Sequence, residues 1–370
     1  MDFIFATSIF LNNQNPFDFM TLTDLKEEDL RLALQQKIDQ KPKPLGSLGR
    51  LETIALQVGM IQKTLEPSII NPHIIVFAGD HGIAATGLVN PFPQSVTAQM
   101  VLNFVHGGAA INSFCGLHQI RLLVVDAGVN FDFDPSEGST ELIHAKIGYG
   151  TKNYLTQAAM TCEQSEKAIQ QGRKLVDLVF ERNCNCIGLG EMGIGNSSSA
   201  ALVMSLVMGI PIEACVGRGT GTSEEQLRIK VETLRKVIEF HFPEPFSPRG
   251  PKDILKLVGG FEMAMMIGAY LRAAELNMLI VVDGFIATAA LLIARGLSID
   301  ILQHCIFAHT SGEQGHEKML SYLNARPLLN LELRLGEGTG SALAIPLIQS
   351  AVHFLREMAS FESAGVSNKE

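Results

Sequence analysis

Short, nearly continuous apolar runs, each ending in glycine beside a polar residue, constrain the fold of this chain more than any other feature. His73-Ile-Ile-Val-Phe-Ala78 ends in Gly79-Asp80-His81-Gly82, and Arg121-Leu-Leu-Val-Val125 ends in Asp126-Ala-Gly128. Asn185-Cys-Ile-Gly-Leu189 runs into Gly190-Glu191, Leu279-Ile-Val-Val282 into Asp283-Gly284, and His304-Cys-Ile-Phe-Ala308 into His309-Thr-Ser-Gly312. A sixth candidate, Ile212 to Val216, leads into Gly217-Arg218-Gly219-Thr220-Gly221. Runs without alternation are the pattern of strands covered on both faces.

Helical segments are expected between these runs: Ser95 to Phe114, Cys162 to Arg182 with Thr161 as its cap, Ser197 to Met208, Ser223 to His241, Gly259 to Asn277 and Thr288 to Arg295. Buried strand alternating with helix implies an α/β fold, a Rossmann-like, doubly wound parallel sheet of about six strands. Ligands bind such sheets outside the carboxyl ends of the strands, so the Gly, Asp, His and Glu endings should gather into one composite site. The chain ends have no strands of their own. Leu22 to Met60 reads as helices around a Lys41 to Gly49 loop, and Leu328 to Ala359 as a glycine-rich turn before an apolar helix, Ala342 to Met358. The two ends are expected to pack together as a small helical domain. This divides the chain into an extension (1–21), a helical part (22–65), an α/β core (66–325) and a C-terminal helical part (326–370).

With 46% hydrophobic and 18% charged residues over 370 positions, the chain is too apolar for a disordered protein. Lys and Arg number 29 against 38 Asp and Glu, a net charge of -9, which argues against nucleic acid or an anionic membrane surface as partner. The longest apolar stretches, Ala200 to Val216 and Leu279 to Leu297, are interrupted by Glu213, or by Asp283 and Arg295, and read as buried core, not membrane spans. Phe3 to Leu11 is apolar but lacks the flanks of a signal peptide, so a cytoplasmic protein is expected. The six cysteines read as buried reduced thiols; only Cys184 and Cys186 are close, without the two-residue spacer of a zinc or redox motif.

Three glycine-rich loops carry the chemistry. Gly188-Leu-Gly190-Glu191-Met-Gly193-Ile-Gly195-Asn196-Ser197-Ser198-Ser199 follows a run and opens a helix, which suits an anion held by backbone N–H groups, with Asn196 or Ser197 as cap. It also fits the dinucleotide pattern, with Glu213 about where a ribose-binding acid sits, so an NAD-dependent oxidoreductase is an alternative. Against that, Glu191 inside the loop would repel a pyrophosphate, and the hydroxyl cluster suits a single phosphate. Gly217-Arg218-Gly219-Thr220-Gly221 is a second such loop, and Lys230, two turns into the next helix, is either a solvated lysine or a further phosphate contact. In Gly336-Glu337-Gly338-Thr339-Gly340, small neighbours leave one carboxylate free to approach a ligand, as a general base or as a mere helix cap. Asp80, His81, His309, Glu313 and His316 lack metal-site spacing, and neither a nucleophile elbow nor a Walker A sequence occurs.

Together these motifs resemble one family. Lys43-Pro-Leu-Gly-Ser-Leu-Gly-Arg-Leu-Glu52, Ala78 to Gly82, Pro91-Phe-Pro-Gln94, Val96 to Met100 and Gly107 to Ile111 match its N-terminal half. Gly190 to Asn196, Val216 to Gly221, Val282 to Phe285, His309 to His316 and Leu335 to Gly340 match the rest, in collinear order from about Leu22 to Ala359. The chain thus resembles the nicotinate-nucleotide–dimethylbenzimidazole phosphoribosyltransferases of cobalamin lower-ligand synthesis. The resemblance implies transfer of phosphoribose from nicotinate mononucleotide to 5,6-dimethylbenzimidazole, giving α-ribazole 5′-phosphate and nicotinate, by what is typically a homodimer; because no pyrophosphate departs, no magnesium is required, and no cofactor is expected. It assigns Glu337 as catalytic base and Glu191 as a second acid of the site. Gly193, Gly195, Asn196, Ser197, Ser198, Gly217, Arg218, Gly219, Thr220, Lys230 and Asp283 become phosphate and ribose contacts, and Asp80, Phe92, Gln94 and Leu335 the surroundings of the base. Ser197 to Ser199 departs from the threonines common in the family but keeps the hydroxyls. A nucleotide-sensing module using the same loops without turnover is the non-enzymatic rival.

Overall fold

A computed structural model describes residues 27–134, 138, 140–217, 223–243 and 250–367. Six parallel strands form one sheet: β1 His73–Gly79, β2 Arg121–Gly128, β3 Glu141–His144, β4 Cys186–Met192, β5 Leu279–Val282 and β6 Cys305–Phe307. Their order is β3-β2-β1-β4-β5-β6, with Phe77 facing both Val125 and Glu191, and Val282 facing Leu189 and Phe307. The order reverses between β1 and β4, the place where such sheets open a crevice for ligand. The helices are α1 Glu27–Asp39, α2 Arg50–Gln62, α3 Ser95–Val105, α4 Ala110–His118, α5 Cys162–Glu181, α6 Asn196–Met208, α7 Glu224–His241, α8 Pro251–Val258, α9 Phe261–Glu275, α10 Phe285–Leu297, α11 His316–Tyr322, α12 Thr339–Glu357 and α13 Phe361–Ala364.

The period of two along each strand splits the core into two layers. Ile75 and Phe77 of β1 join a cluster with residues of α5, α6, α9 and α10. Ile74, Val76 and Ala78 join another with residues of α1 to α4 and α12. Both faces are therefore covered, which is why the central strands read as unbroken apolar runs. Helices α5 and α9 make the most intimate contact, because Gly172 and Gly268 let the backbones touch. A Cβ on Gly172 would lie 1.9 Å from Met265 O, and one on Gly268 1.9 Å from Ile169 O.

The two chain ends meet. Lys41 Nζ donates to Met358 O just past α12, Phe361 N donates to Gln40 O at 2.9 Å, and Arg50 donates to Arg326 O at 2.9 Å. The Lys43 to Glu52 motif closes on itself here: Glu52 accepts from Lys43 Nζ at 2.7 Å and from Leu48 N at 3.0 Å. That motif shapes a loop.

Several local expectations hold. Thr161 accepts from Gln164 N and caps α5, and Ser223 caps α7 in the same way. Others need correction. Ile212 to Val216 is not a strand: Ile212–Ala214 is a 3₁₀ turn, held by Ala214 N to Pro211 O and Cys215 N to Ile212 O. Pro211 at its start has no N–H for a ladder, and Ile212, Cys215 and Val216 are apolar because they pack in the core. The sixth strand is the four-residue edge strand β3, whose half-exposed Glu-Leu-Ile-His gives no apolar run. The helix expected over Ser95 to Phe114 is two, α3 and α4, broken after Val105 where Gly107 adopts φ 81°. Ser95–His118 is the single described stretch with the length and apolarity to cross a membrane; Val101, Phe104, Ile111 and Cys115 within it are buried in the core. All six cysteines are free thiols, but Cys162, at the start of α5, is exposed and not buried like the other five.

A candidate active site at the switch point

A cavity of about 140 Å³ opens at the carboxyl ends of β4, β5 and β6. Its walls are Glu191 to Ser197, from the last two residues of β4 into α6, Asp283 to Ala287 after β5, and His309, Ser311 and Glu313 after β6. Val89 to Phe92, Lys230 from α7, and Arg334 to Gly336 before α12 complete it. These three strands deliver their polar endings to one place, whereas Asp80 and His81 after β1 and Asp126 on β2 stay off the cavity wall.

Glu191 lies on β4 itself, one residue from its end, and not in the following loop. Only 7% exposed, it accepts a hydrogen bond from Asn196 Nδ2 and touches Gly336. Burial, reinforced by Asp283, Glu262 and Glu337, pushes its carboxyl up to about 8. Asp283 follows β5; its Oδ1 accepts from Ser341 N at 2.9 Å and lies 3.9 Å from His309 Nε2. Burial raises this carboxyl as well, with the His309 charge acting against the shift.

Glu337 is 3% exposed and sits just behind Gly336, beside the cavity wall. Residues 336, 337 and 338 all take the left-handed conformation, with φ 86°, 62° and 80°. That is uncommon for a glutamate and marks a strained turn. The turn lies on β4 at Gly190, where a Cβ would come within 2.3 Å of Glu337 C. Burial raises the Glu337 carboxyl to about 7, against a hydrogen bond from the Ile111 N–H at the start of α4. Its Oε2 is buried and has no partner among the described residues.

The phosphate end is built on α6. Gly195, φ 96°, is the N-cap, so neither Asn196 nor Ser197 caps the helix as expected. Asn196 is instead turned to Glu191, and Ser197 Oγ accepts from Lys230 Nζ at 3.0 Å. The left-handed glycine leaves the cap position without a side chain, so both polar side chains are free to face the cavity. Lys230 is no solvated lysine: it is 2% exposed, and burial lowers it to about 8, with Glu313 pulling the other way. Ser198 is buried behind the wall, its Oγ without a partner among the described residues, and Gly217 packs against the Glu313 carboxylate. Arg218, Gly219 and Thr220 lie outside the described residues.

Of the residues expected around the base, Phe92 and Leu335 line the cavity, both partly exposed. Asp80 and Gln94 do not. Asp80 accepts from Asn130 N at 2.8 Å, and Gln94 donates to His81 O at 3.2 Å, so both brace neighbouring loops. His81 bridges Glu262 Oε1 at 2.8 Å and Ser199 Oγ at 3.0 Å, wholly buried. His316 accepts from Ser311 N at 2.8 Å and meets Thr288 Oγ1 at 2.9 Å, and burial takes it down to about 3. With both nitrogens of each ring engaged, neither histidine is available to a metal. Among the described residues no group of three or more His, Cys, Asp or Glu could hold one. Glu213, the acid a dinucleotide site would need, is off the cavity and paired with Arg235. Sequence reasoning missed Asn90, Ser311 and Arg334; Arg334 adjoins the Leu335 to Gly340 motif, the one signal that could have found it.

The comparisons with known proteins show the family. The family model DBI_PRT, described as phosphoribosyltransferase, matches residues 24–366. A nicotinate-nucleotide–dimethylbenzimidazole phosphoribosyltransferase of Dechloromonas aromatica is 50% identical over 346 residues, 94% of this chain and 98% of that protein. One from Aromatoleum aromaticum is 48% identical over 345 residues, 93% of this chain and 98% of its own length. The crystal structure of CobT from Thermus thermophilus superposes with a TM-score of 0.86 at 38% identity, covering 92% of this chain and 99% of that one. With near-complete coverage on both sides, the chain belongs to the nicotinate-nucleotide–dimethylbenzimidazole phosphoribosyltransferase family.

Proposed function

We propose that the protein transfers phosphoribose from nicotinate mononucleotide to 5,6-dimethylbenzimidazole, with Glu337 as the general base. The bond from C1′ to the pyridinium nitrogen breaks, and its electron pair stays with the departing ring, so nicotinate leaves without an acid. One benzimidazole nitrogen attacks C1′ from the opposite face, which turns a β-nucleotide into an α-riboside. The other nitrogen gives up its proton to Glu337 Oε2.

The observation that carries this reading is the Glu337 carboxyl: buried, held in a left-handed turn beside the cavity, raised to about 7, with one oxygen unpartnered. A base is most effective when its pKa lies near the working pH. The phosphate is assigned to the first turn of α6 and Lys230, where backbone N–H groups and a cation converge. Glu191 faces the ribose; a cationic ring or an oxocarbenium-like C1′ beside it favours its ionised form, which in turn stabilises that charge.

The division into an extension, an α/β core and a helical domain from both ends is part of the same proposal, as are a cytoplasmic location and a homodimer. Contacts such as Lys41 with Met358 support the helical domain. Glu337→Gln is the test. It should bind nicotinate mononucleotide as the parent does while kcat falls by about 2–4 orders of magnitude. Unchanged turnover would remove Glu337 from the role.

A further inference from the structure

The transferase reading leaves one group of the donor unaccounted for, the carboxylate on the nicotinate ring. The cavity is a poor place for it at first sight, since Glu191, Asp283 and Glu313 all line the wall. Among the described residues only two lining side chains carry a fixed positive charge, Lys230 and Arg334. Lys230 is already engaged: it is buried against Ser197 Oγ at the first turn of α6, where the phosphate belongs. Arg334 is exposed at the wall, next to Leu335 and Gly336, and forms no hydrogen bond or ion pair with another described residue.

Its backbone, by contrast, is held in place. The segment before it is zipped to the end of β6 and the loop that follows through Leu328 N to Phe307 O, Thr310 N to Leu329 O and Gly312 N to Leu333 O, at 3.0, 2.9 and 2.9 Å. A long cationic side chain on a fixed backbone, without a partner among the described residues and lining the same cavity as Glu191, is suited to a planar oxyanion. A guanidinium matches a carboxylate with two parallel hydrogen bonds, whereas a neutral amide offers it one acceptor and no charge.

We propose that Arg334 binds the ring carboxylate and sets the preference for nicotinate over nicotinamide mononucleotide. The assignment rests on the transferase reading, and the experiment separates the two. The ratio of kcat/KM for the acid and amide nucleotides, with 5,6-dimethylbenzimidazole as acceptor, is measured for the full chain, Arg334→Ala, Arg334→Lys and Lys230→Ala. Where the amide reacts too slowly, the dissociation constants of the two nucleotides give the binding part of that ratio. Arg334→Ala should lower the acid-to-amide ratio by about 10–100-fold, the loss appearing in KM for the acid nucleotide. Arg334→Lys should restore part of it. Lys230→Ala should weaken both nucleotides alike and leave the ratio in place. An unchanged ratio in a folded, active Arg334→Ala enzyme would overturn the assignment alone. A parent protein that turns over neither nucleotide would overturn the transferase reading and this assignment with it.

Discussion

Glu337 and Lys230 are each shifted toward neutrality by burial, and each shift predicts a measurement. With its carboxyl raised to about 7, Glu337 is half protonated near neutral pH, so kcat/KM should climb as pH rises through 7 and fall again as Lys230 loses its proton above about 8. A rate that is flat between about pH 5.5 and 8.5 would mean that the base is another group. Lys230→Ala removes a buried cation from the phosphate end and should weaken nicotinate mononucleotide binding by about 1.5–3 kcal/mol. An unchanged dissociation constant by calorimetry would move the phosphate elsewhere. At this scale the sequence was informative about identity and poor about placement. Glycine-flanked Glu337 stood out because a carboxylate between small residues has few other uses. That Asn196 would turn to Glu191 and not cap α6 depends on Gly195 taking a left-handed conformation, which no spacing of side chains reveals.

Among the elements, the contact of α5 with α9 shows how packing inverts a propensity. Glycine in a helix costs roughly 0.5–1 kcal/mol relative to alanine, so Gly268→Ala should stabilise an isolated helix. Here the added Cβ would meet Ile169 O at 1.9 Å, and the two helices would have to separate. Gly268→Ala should therefore destabilise the protein by about 1–3 kcal/mol in chemical denaturation while leaving kcat of the folded fraction unchanged. A gain in stability would show that the helices can shift freely. Five of the six strands were legible because burial on both faces leaves a continuous apolar signature. β3 was not, since an edge strand with exposed ends carries no such mark, and Ile212 to Val216 imitated a strand because core packing alone can demand the same residues.

Over the whole molecule, the acidic cluster couples the site to stability. Glu191 and Glu337 have folded values of about 8 and about 7, above the ordinary 4.5, so the native state holds protons that the unfolded chain has released. Stability from these groups is complete below about pH 4.5 and is lost as pH rises through 7 to 8. The melting temperature should fall from about pH 5.5 to 8.5, and Glu191→Gln should flatten that slope; a slope untouched by the substitution would place the linkage elsewhere. The members of this cluster come from β4, β5 and the turn before α12, separate in sequence and brought together by the sheet order. The proposed transfer is tested most directly by incubating EDTA-treated protein with nicotinate mononucleotide and 5,6-dimethylbenzimidazole and resolving the products. Nicotinate and an α-configured riboside phosphate should appear in equal amounts. Nicotinate with free ribose phosphate, or a β-configured riboside, would contradict the mechanism.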